Sequence, residues 1–243
     1  QIASLWRGEL TLTGDGSLLS RPVSMMEEPL KKLGVHVVTS GGFPPLKVQG
    51  PLLGGEAEVD GSVSSQFLTG LLMALPKAAG DSRLTVKNLK STPYIDMTLA
   101  LLDAFGVQVR HRNYETFFIK GSQAYACKNE EYWVEGDWSG AAFLLAAGAL
   151  AAGANSLTVA GLDTSSPQAD RGILDALAAA GAVVEMAGNF VTVRKSKLKG
   201  FHFDATHCPD LFPPLAALAC NCEGTSIITG VERLAHKESN RAM

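Results

Sequence analysis

A short pattern of apolar residues and threonines recurs along the chain at intervals of roughly 72 residues. It reads LTLT from Leu10, LTV from Leu84 and again from Leu157, and SIIT from Ser226. The alternation of apolar and polar positions predicts a half-buried strand at each place. Such an interval is too long for one turn of a solenoid and suits a repeated α/β unit that buries its own apolar face. We therefore predict a chain built from copies of one module.

One complete copy is predicted between residues 56 and 121. Its predicted elements are a strand at 56–59, a helix at 65–75, a strand at 83–87, a helix at 95–105, and an antiparallel pair at 107–111 and 116–120. In the first helix, Phe67, Leu71 and Leu75 recur every four residues, as expected of a buried helix face. The order is βαβαββ, and helices that alternate with strands indicate an α/β fold.

Further copies are predicted on both sides. The second copy has a strand at 132–135, a helix from residue 139, a strand at 157–160, a helix at 168–180, and strands at 183–186 and 190–194. Part of another copy precedes these two, with a helix at 22–33 and strands at 35–39 and 45–49. The final copy ends soon after its predicted strand at 226–230. Since the chain also begins at Gln1, we expect it to be a fragment of a longer protein.

Charge and cysteine content exclude several classes of protein. A net charge of −3 and a pI near 6.0 give no reason to expect nucleic-acid binding. The four cysteines form no C-x-x-C pair, so they are interpreted as reduced thiols and no metal site is predicted. The uncharged run 138–162 is divided by a Gly-Ala-Asn-Ser turn, and neither part is long enough to span a bilayer. We expect a cytoplasmic, monomeric protein with no membrane partner.

The two more complete copies differ where their first helix begins. The first reads DGSVSSQ at 60–66 and the second EGDWSGA at 135–141. A helix needs only one capping residue, yet Ser64, Ser65 and Gln66 crowd the first of these starts. Hydroxyls and backbone N–H groups at a helix N-terminus favour an anion, phosphate above all. Elaborate capping without a ligand is the alternative.

A second helix start in the same copy repeats this chemistry. The sequence STPY places Ser91 and Tyr94 around Pro93, which suits the first turn of a helix. Pro93 would also suit an ordinary helix, so this helix start supports an anion-binding site only in combination with the first one. Two such starts in one copy favour a phosphorylated, hydroxylated ligand.

Charged residues are densest in HKESNR at 236–241. Lys237 and Arg241 are four residues apart and share a helix face, with Glu238 beside them. Two cations and a carboxylate could hold an anion while moving a proton. A solvated charged face is the alternative. Asp210 follows Pro209 at the start of the helix predicted in this copy, where it could also be a simple cap.

Four motifs resemble those of 5-enolpyruvylshikimate-3-phosphate synthases, the enolpyruvyl transferases of the shikimate pathway that leads to aromatic amino acids. They are LSRP at 19–22, DGSVSSQFL at 60–68, STPYID at 91–96 and HKESNR at 236–241. The similarity spans the whole chain with the repeat order intact. It implies the inside-out α/β barrel fold, in which each of two domains has three βαβαββ units. Residues 1–135 would then belong to one domain and 136–243 to the other, both incomplete.

The resemblance also implies roles for individual residues. Shikimate 3-phosphate would contact Ser64, Ser65, Gln66, Ser91, Tyr94, Asp210 and Lys237. Phosphoenolpyruvate would contact Arg21, Gln66 and Arg241. Asp210, Lys237 and Glu238 would be catalytic: Asp210 would accept the proton of the attacking 5-hydroxyl, and the other two would help to move protons. The reaction needs no cofactor and no metal.

The sequence departs from the family pattern in ways that leave alternatives open. Arg233 and Asn240 replace residues more usual in the family, and the N-terminal lysine, the late Asp-His-Arg motif and the terminal lysine are absent. We therefore expect the fragment alone to be inactive. UDP-N-acetylglucosamine 1-carboxyvinyltransferase is the nearest alternative, although residues 14–20 lack the cysteine that many of its members carry. A non-catalytic phosphate-binding module is the alternative of another class.

Overall fold

The computed structural model describes residues 1–62, 65–151, 155–231 and 234. The chain divides into two compact units, Gln1–Tyr132 and Trp133–Met243. Each unit has its own apolar core and its own sheets. None of the helices in the described part of the chain is long and apolar enough to cross a membrane.

The first unit begins with a three-stranded antiparallel sheet. Its strands are β1 (Glu9–Leu12), β2 (His36–Ser40) and β3 (Phe43–Gln49), in the order β1-β3-β2. The predicted helix at 22–33 is shorter than expected, because a 3-10 turn at Ser24–Met26 precedes helix α1 (Glu27–Lys32). Glu27 lies in the first turn of α1 and Lys31 in its last turn. Negative charge at the start of a helix and positive charge at its end stabilise the helix through its dipole.

The rest of the first unit is the complete copy of the module. It contains β4 (Gly55–Asp60), α2 (Gln66–Ala74), β5 (Ser82–Lys87), α3 (Thr92–Ala104), β6 (Val109–Arg112) and β7 (Thr116–Ile119). The sheet order is β4-β5-β7-β6, with β4 and β5 parallel and the other pairs antiparallel. The predicted βαβαββ order is therefore confirmed.

Burial of the apolar face of α2 anchors this copy. The predicted face is confirmed: Leu68, Leu71 and Leu75 are fully buried and Phe67 nearly so, packed with Phe117 of β7. Each fully buried side chain of this kind stabilises the fold by about 1.5–3 kcal/mol. The core thus fixes α2 against the sheet, and with it the position of the helix start.

The second unit repeats the module in part. It contains α4 (Trp138–Ala151), β8 (Ser156–Ala160), α5 (Ile173–Ala179), β9 (Val183–Ala187), β10 (Phe190–Arg194), β11 (His202–Asp204), α6 (Phe212–Ala219) and β12 (Ile227–Thr229). Strands β8, β10 and β9 form an antiparallel sheet in that order, and β11 pairs with β12 in parallel. The helix predicted at 168–180 is a 3-10 turn at Ala169–Gly172 followed by α5.

The prediction of a strand at 132–135 was wrong. These residues form no strand, and the Trp133 and Val134 side chains are 84% and 79% exposed. Alternating apolar residues predict a strand only where one face can be buried, and this segment buries neither. The pairing that it would have made with β8 is reduced to the N–H of Gly136, which donates to the carbonyl oxygen of Gly161 at 2.8 Å.

Candidate functional site

Two parallel strands bring the starts of α2 and α3 to one edge of a sheet. Strands β4 and β5 run in register from Gly55 opposite Ser82 to Asp60 opposite Lys87. Their carboxyl ends therefore lie side by side, and each leads into a helix. The loops approach closely after the strands, because a Cβ at Gly61 would lie 2.9 Å from the Cα of Leu89. Glycine is thus required at this crossing.

The first helix start combines a fixed turn with a buried hydroxyl. The Asp60 carboxylate accepts a hydrogen bond from the N–H of Ser62 at 2.8 Å, and this contact lowers the pKa of Asp60. Ser65 is 6% exposed and occupies the N-cap position of α2, but its side chain makes no capping bond to the helix. The buried Ser65 hydroxyl therefore does not serve as the cap of α2. Ser64, also predicted to bind phosphate, lies outside the described residues.

The second helix start is strained. Ser91, at the N-cap of α3, has a φ of 56° and a ψ of 48°, in the left-handed region. Such a conformation costs a residue with a Cβ about 1–2 kcal/mol, and it persists where the surroundings impose it. Ser91 is also 2% exposed and its side chain does not cap α3. Backbone strain of this kind clusters at active sites and ligand-binding sites.

Arg21 and Gln66, both predicted to bind phosphoenolpyruvate, are brought together. The Arg21 guanidinium donates a hydrogen bond to the Gln66 side-chain oxygen at 3.2 Å. Gln66 is the first residue of α2, and Arg21 follows the 3-10 helix Gly16–Ser20. The first unit therefore groups a cation with the helix start that carries Ser65. Tyr94, in the first turn of α3, donates its backbone N–H to the carbonyl oxygen of Ser91 at 3.2 Å.

The corresponding helix start in the second unit has a different chemistry. The Asp137 carboxylate accepts hydrogen bonds from the N–H groups of Ser139 at 2.9 Å and Gly140 at 3.0 Å. The side-chain oxygen of Gln168 accepts from the N–H of Trp138 at 2.9 Å. The first N–H groups of α4 thus already face a carboxylate of the chain itself, which disfavours a further anion. Among the described residues, the copies therefore differ at this helix start: the Asp137 carboxylate binds the first N–H groups of α4, whereas the Ser65 side chain makes no such bond to α2.

Asp210 lies at a helix start of the second unit. It belongs to the 3-10 helix Pro209–Leu211, which leads directly into α6. Burial, followed by the negative charges of Asp170, Asp204 and Asp210, raises the pKa of the neighbouring Cys208 thiol to about 12. Cys208 therefore stays protonated at neutral pH. A carboxylate at such a position can accept a proton.

The remaining predicted site residues belong to the last part of the chain. Lys237, Glu238 and Arg241 lie outside the described residues, as do Arg233 and Asn240. Within the described ranges, no group of three or more histidines, cysteines or acidic residues is arranged to hold a metal ion.

Some polar contacts near these helix starts were not predicted from the sequence. The Thr69 and Thr98 hydroxyls lie 3.1 Å apart between α2 and α3. In the second unit, Ser166 donates to the Glu135 carboxylate at 2.9 Å. The only sequence signal for Thr69 and Thr98 is their position four residues after Ser65 and Tyr94.

Comparison with solved structures gives the class of protein. The chain is similar to an EPSP synthase from Acinetobacter baumannii, with a TM-score of 0.72 and 28% identity, over 98% of this chain and 55% of that one. It also shares its fold with the enolpyruvyl transferase NikO from Streptomyces tendae, with a TM-score of 0.64 and 19% identity, over 91% of this chain and 52% of that one. The predicted enolpyruvyl transferase fold is therefore confirmed.

Sequence comparison narrows the class to one family. The family model described as EPSP synthase (3-phosphoshikimate 1-carboxyvinyltransferase) matches residues 1–243, and the chain belongs to this family. A relative named 3-phosphoshikimate 1-carboxyvinyltransferase from Methanocorpusculum labreanum is 40% identical over 100% of this chain, and one of the same name from Clostridium kluyveri is 43% identical over 99%. The chain spans about half the length of these relatives, 56% and 55% respectively.

Proposed function

We propose that this chain is part of an enzyme that transfers the carboxyvinyl group of phosphoenolpyruvate to the 5-hydroxyl of shikimate 3-phosphate and releases phosphate. Membership of the EPSP synthase family and relatives named 3-phosphoshikimate 1-carboxyvinyltransferase support this activity. Because the chain spans about half of those relatives, the activity is proposed for the full-length protein that contains it. The chain alone is expected to be inactive.

One observation carries the assignment of shikimate 3-phosphate to the first unit. Two helices begin at the carboxyl ends of adjacent parallel strands, each with a buried serine, Ser65 and Ser91, that does not cap its helix. The equivalent helix start in the second unit is closed by Asp137. Helix N-termini and hydroxyls together bind phosphate well. We assign Ser65 and Ser91, with Ser64, to the 3-phosphate, and Tyr94 to the ring of the substrate.

Phosphoenolpyruvate is assigned to the neighbourhood of Arg21 and Gln66. The hydrogen bond between their side chains places a permanent cation at the start of α2. An arginine binds carboxylate and phosphate groups in a bidentate manner, and its charge stabilises negative charge that moves onto the leaving phosphate. Gln66 follows Ser65 in the chain and its side chain accepts a hydrogen bond from Arg21, so we propose that it contacts both substrates. Arg241 is proposed as the second cation.

The reaction proceeds by addition and elimination. The 5-hydroxyl oxygen bonds to C2 of phosphoenolpyruvate and loses its proton to a base, while C3 gains a proton, which gives a tetrahedral ketal. Loss of a proton from C3 then expels phosphate from C2 and restores the double bond. Asp210 is proposed as the base for the 5-hydroxyl, and Lys237 and Glu238 as the groups that exchange protons with C3 and the leaving phosphate.

The chain is further proposed to contribute to two domains, through residues 1–135 and 136–243. Its helix starts and cations suit small anionic substrates. We also propose that the full-length protein is a cytoplasmic monomer.

Phosphate release by the full-length protein tests the proposal. We expect release from phosphoenolpyruvate with shikimate 3-phosphate, and none with UDP-N-acetylglucosamine. Release only with the UDP sugar would replace the proposed acceptor. Calorimetric binding of shikimate 3-phosphate without any turnover would instead indicate a non-catalytic binding module. Ser139→Ala, at the start of the capped helix α4, is the matched control for substitutions at Ser65.

A further inference from the structure

A continuous path of hydrogen bonds joins the two helix starts assigned to the phosphate. The Ser65 carbonyl oxygen accepts from the N–H of Thr69 at 2.9 Å, and the Thr69 hydroxyl lies 3.1 Å from that of Thr98. The Thr98 hydroxyl donates to the carbonyl oxygen of Tyr94 at 2.8 Å, and the N–H of Tyr94 donates to the carbonyl oxygen of Ser91 at 3.2 Å. Ser65 and Ser91 are therefore linked through the first turns of α2 and α3.

The direction of the central hydrogen bond follows from the count of protons. A threonine hydroxyl carries one proton and two lone pairs. Thr98 uses its proton on the Tyr94 carbonyl oxygen, so Thr69 must donate to Thr98. This polarity requires a hydroxyl at both positions, and a side chain of the same shape without the hydroxyl cannot form the link.

Burial makes this link structurally effective. Thr98 is 7% exposed, and α2 packs directly against α3. Both helices contribute residues to one apolar core, among them Leu68, Leu72 and Ile95. Packing alone is non-directional and fixes the sliding of one helix along another less sharply than a directional bond does. The hydroxyl pair adds that direction one turn from the helix starts.

We propose that Thr69 and Thr98 are positioning residues that set the separation of the Ser65 and Ser91 hydroxyls for shikimate 3-phosphate. Neither threonine needs to touch the substrate. The proposal rests on the function proposed above, because it assigns a role in the binding of that substrate. A phosphate that contacts two helix starts is bound well only if both lie at the correct distance.

Isosteric substitution in the full-length protein tests this role. Thr98→Val and Thr69→Val keep the shape of the side chain and remove the hydroxyl. Loss of the neutral hydrogen bond between the threonines should weaken calorimetric binding of shikimate 3-phosphate by about 2- to 10-fold in each variant. Thr69→Val removes only the bond between the two threonines, whereas Thr98→Val also removes the bond to the Tyr94 carbonyl oxygen. The double variant should therefore bind about as well as Thr98→Val. Thr98→Ser keeps the hydroxyl and should restore wild-type binding.

The second unit offers a matched control. The Thr158 and Thr192 hydroxyls lie 2.8 Å apart across β8 and β10, on an exposed face of their sheet. Thr158→Val removes a bond of the same type and should leave binding of shikimate 3-phosphate unchanged. Urea unfolding of every variant separates weaker binding from loss of fold.

Two outcomes would overturn the inference. In the first, Thr98→Val and Thr69→Val bind shikimate 3-phosphate as the wild type does. In the second, Thr98→Ser is as impaired as Thr98→Val, so that keeping the hydroxyl does not restore binding and the loss cannot be assigned to the hydrogen bond. Failure of the proposed function looks different, because the wild-type protein itself would then not bind shikimate 3-phosphate.

Discussion

Ser91 lies in a backbone conformation that favours glycine. At most positions a glycine variant is less stable than the alanine variant, but at Ser91 we expect the reverse. The left-handed conformation costs a residue with a Cβ about 1–2 kcal/mol, and glycine avoids this cost. Glycine in turn loses about 0.5–1 kcal/mol relative to alanine through the entropy of the unfolded chain. Ser91→Gly should therefore be more stable than Ser91→Ala, by up to about 1.5 kcal/mol.

Ser139 supplies the control for this comparison. It lies in the first turn of α4, in an ordinary helical conformation. There the glycine variant should be less stable than the alanine variant by about 0.5–1 kcal/mol. The entropy cost of glycine in the unfolded chain is common to both positions. Subtracting the glycine–alanine difference in stability at Ser139 from that at Ser91 therefore leaves the strain at Ser91. We expect that difference to be about 1–2 kcal/mol.

Strain and binding should separate in the same variants. Ser91→Gly and Ser91→Ala both lack the hydroxyl, so both should bind shikimate 3-phosphate about 10- to 100-fold more weakly, as expected for a lost charge-assisted hydrogen bond. Urea unfolding followed by circular dichroism gives the stabilities, and calorimetry gives the affinities. If Ser91→Ala is more stable than Ser91→Gly, the claim of backbone strain at Ser91 is refuted. Unchanged affinity in both would remove Ser91 from the phosphate site.

Three further predictions concern single side chains. Ser65→Ala should weaken shikimate 3-phosphate binding by about 1.5–3 kcal/mol in calorimetry, and equal weakening by Ser139→Ala would count against a specific role. Asp210→Asn should lower turnover by about 10²- to 10⁴-fold in a phosphate-release assay. Asp175→Asn, at an exposed position, should leave turnover unchanged. Full activity of Asp210→Asn would exclude Asp210 as the base. Because the pKa of Cys208 is raised to about 12, the unfolded state loses this proton first as the pH rises from about 9, so stability should fall over that range. The free energy of unfolding of Cys208→Ala, measured by urea titration between pH 8 and 10, should fall less steeply with pH than that of the wild type. The same dependence on pH in both proteins would contradict the raised pKa.

Local periodicity was sufficient to predict the module that carries the site. The four-residue spacing of Phe67, Leu71 and Leu75 predicted α2 to within a residue or two, because one face of this helix is buried against its own sheet. The same reasoning failed for the strand at 132–135. An apolar side chain such as Trp133 indicates burial only if a partner surface exists, and the sequence does not say whether one does.

The candidate site was predicted from the contrast between copies rather than from any single motif. Ser65 stood out because the second copy has Asp137 and Gly140 at the equivalent helix start, and Ser91 because it repeats the same chemistry at the next helix of its own copy. The left-handed conformation of Ser91 was not predictable, since serine adopts ordinary conformations at most helix starts. The bond between Thr69 and Thr98 could not be predicted either, because it depends on how two helices pack.

The central claim is that the starts of α2 and α3 in the first unit bind the 3-phosphate. A crystal structure of the full-length protein with shikimate 3-phosphate tests it most directly. We predict phosphate oxygens within about 2.5–3.0 Å of the Ser65 and Ser91 hydroxyls, at the carboxyl ends of β4 and β5. A phosphate bound elsewhere, with both serine hydroxyls beyond hydrogen-bonding distance, would contradict the account.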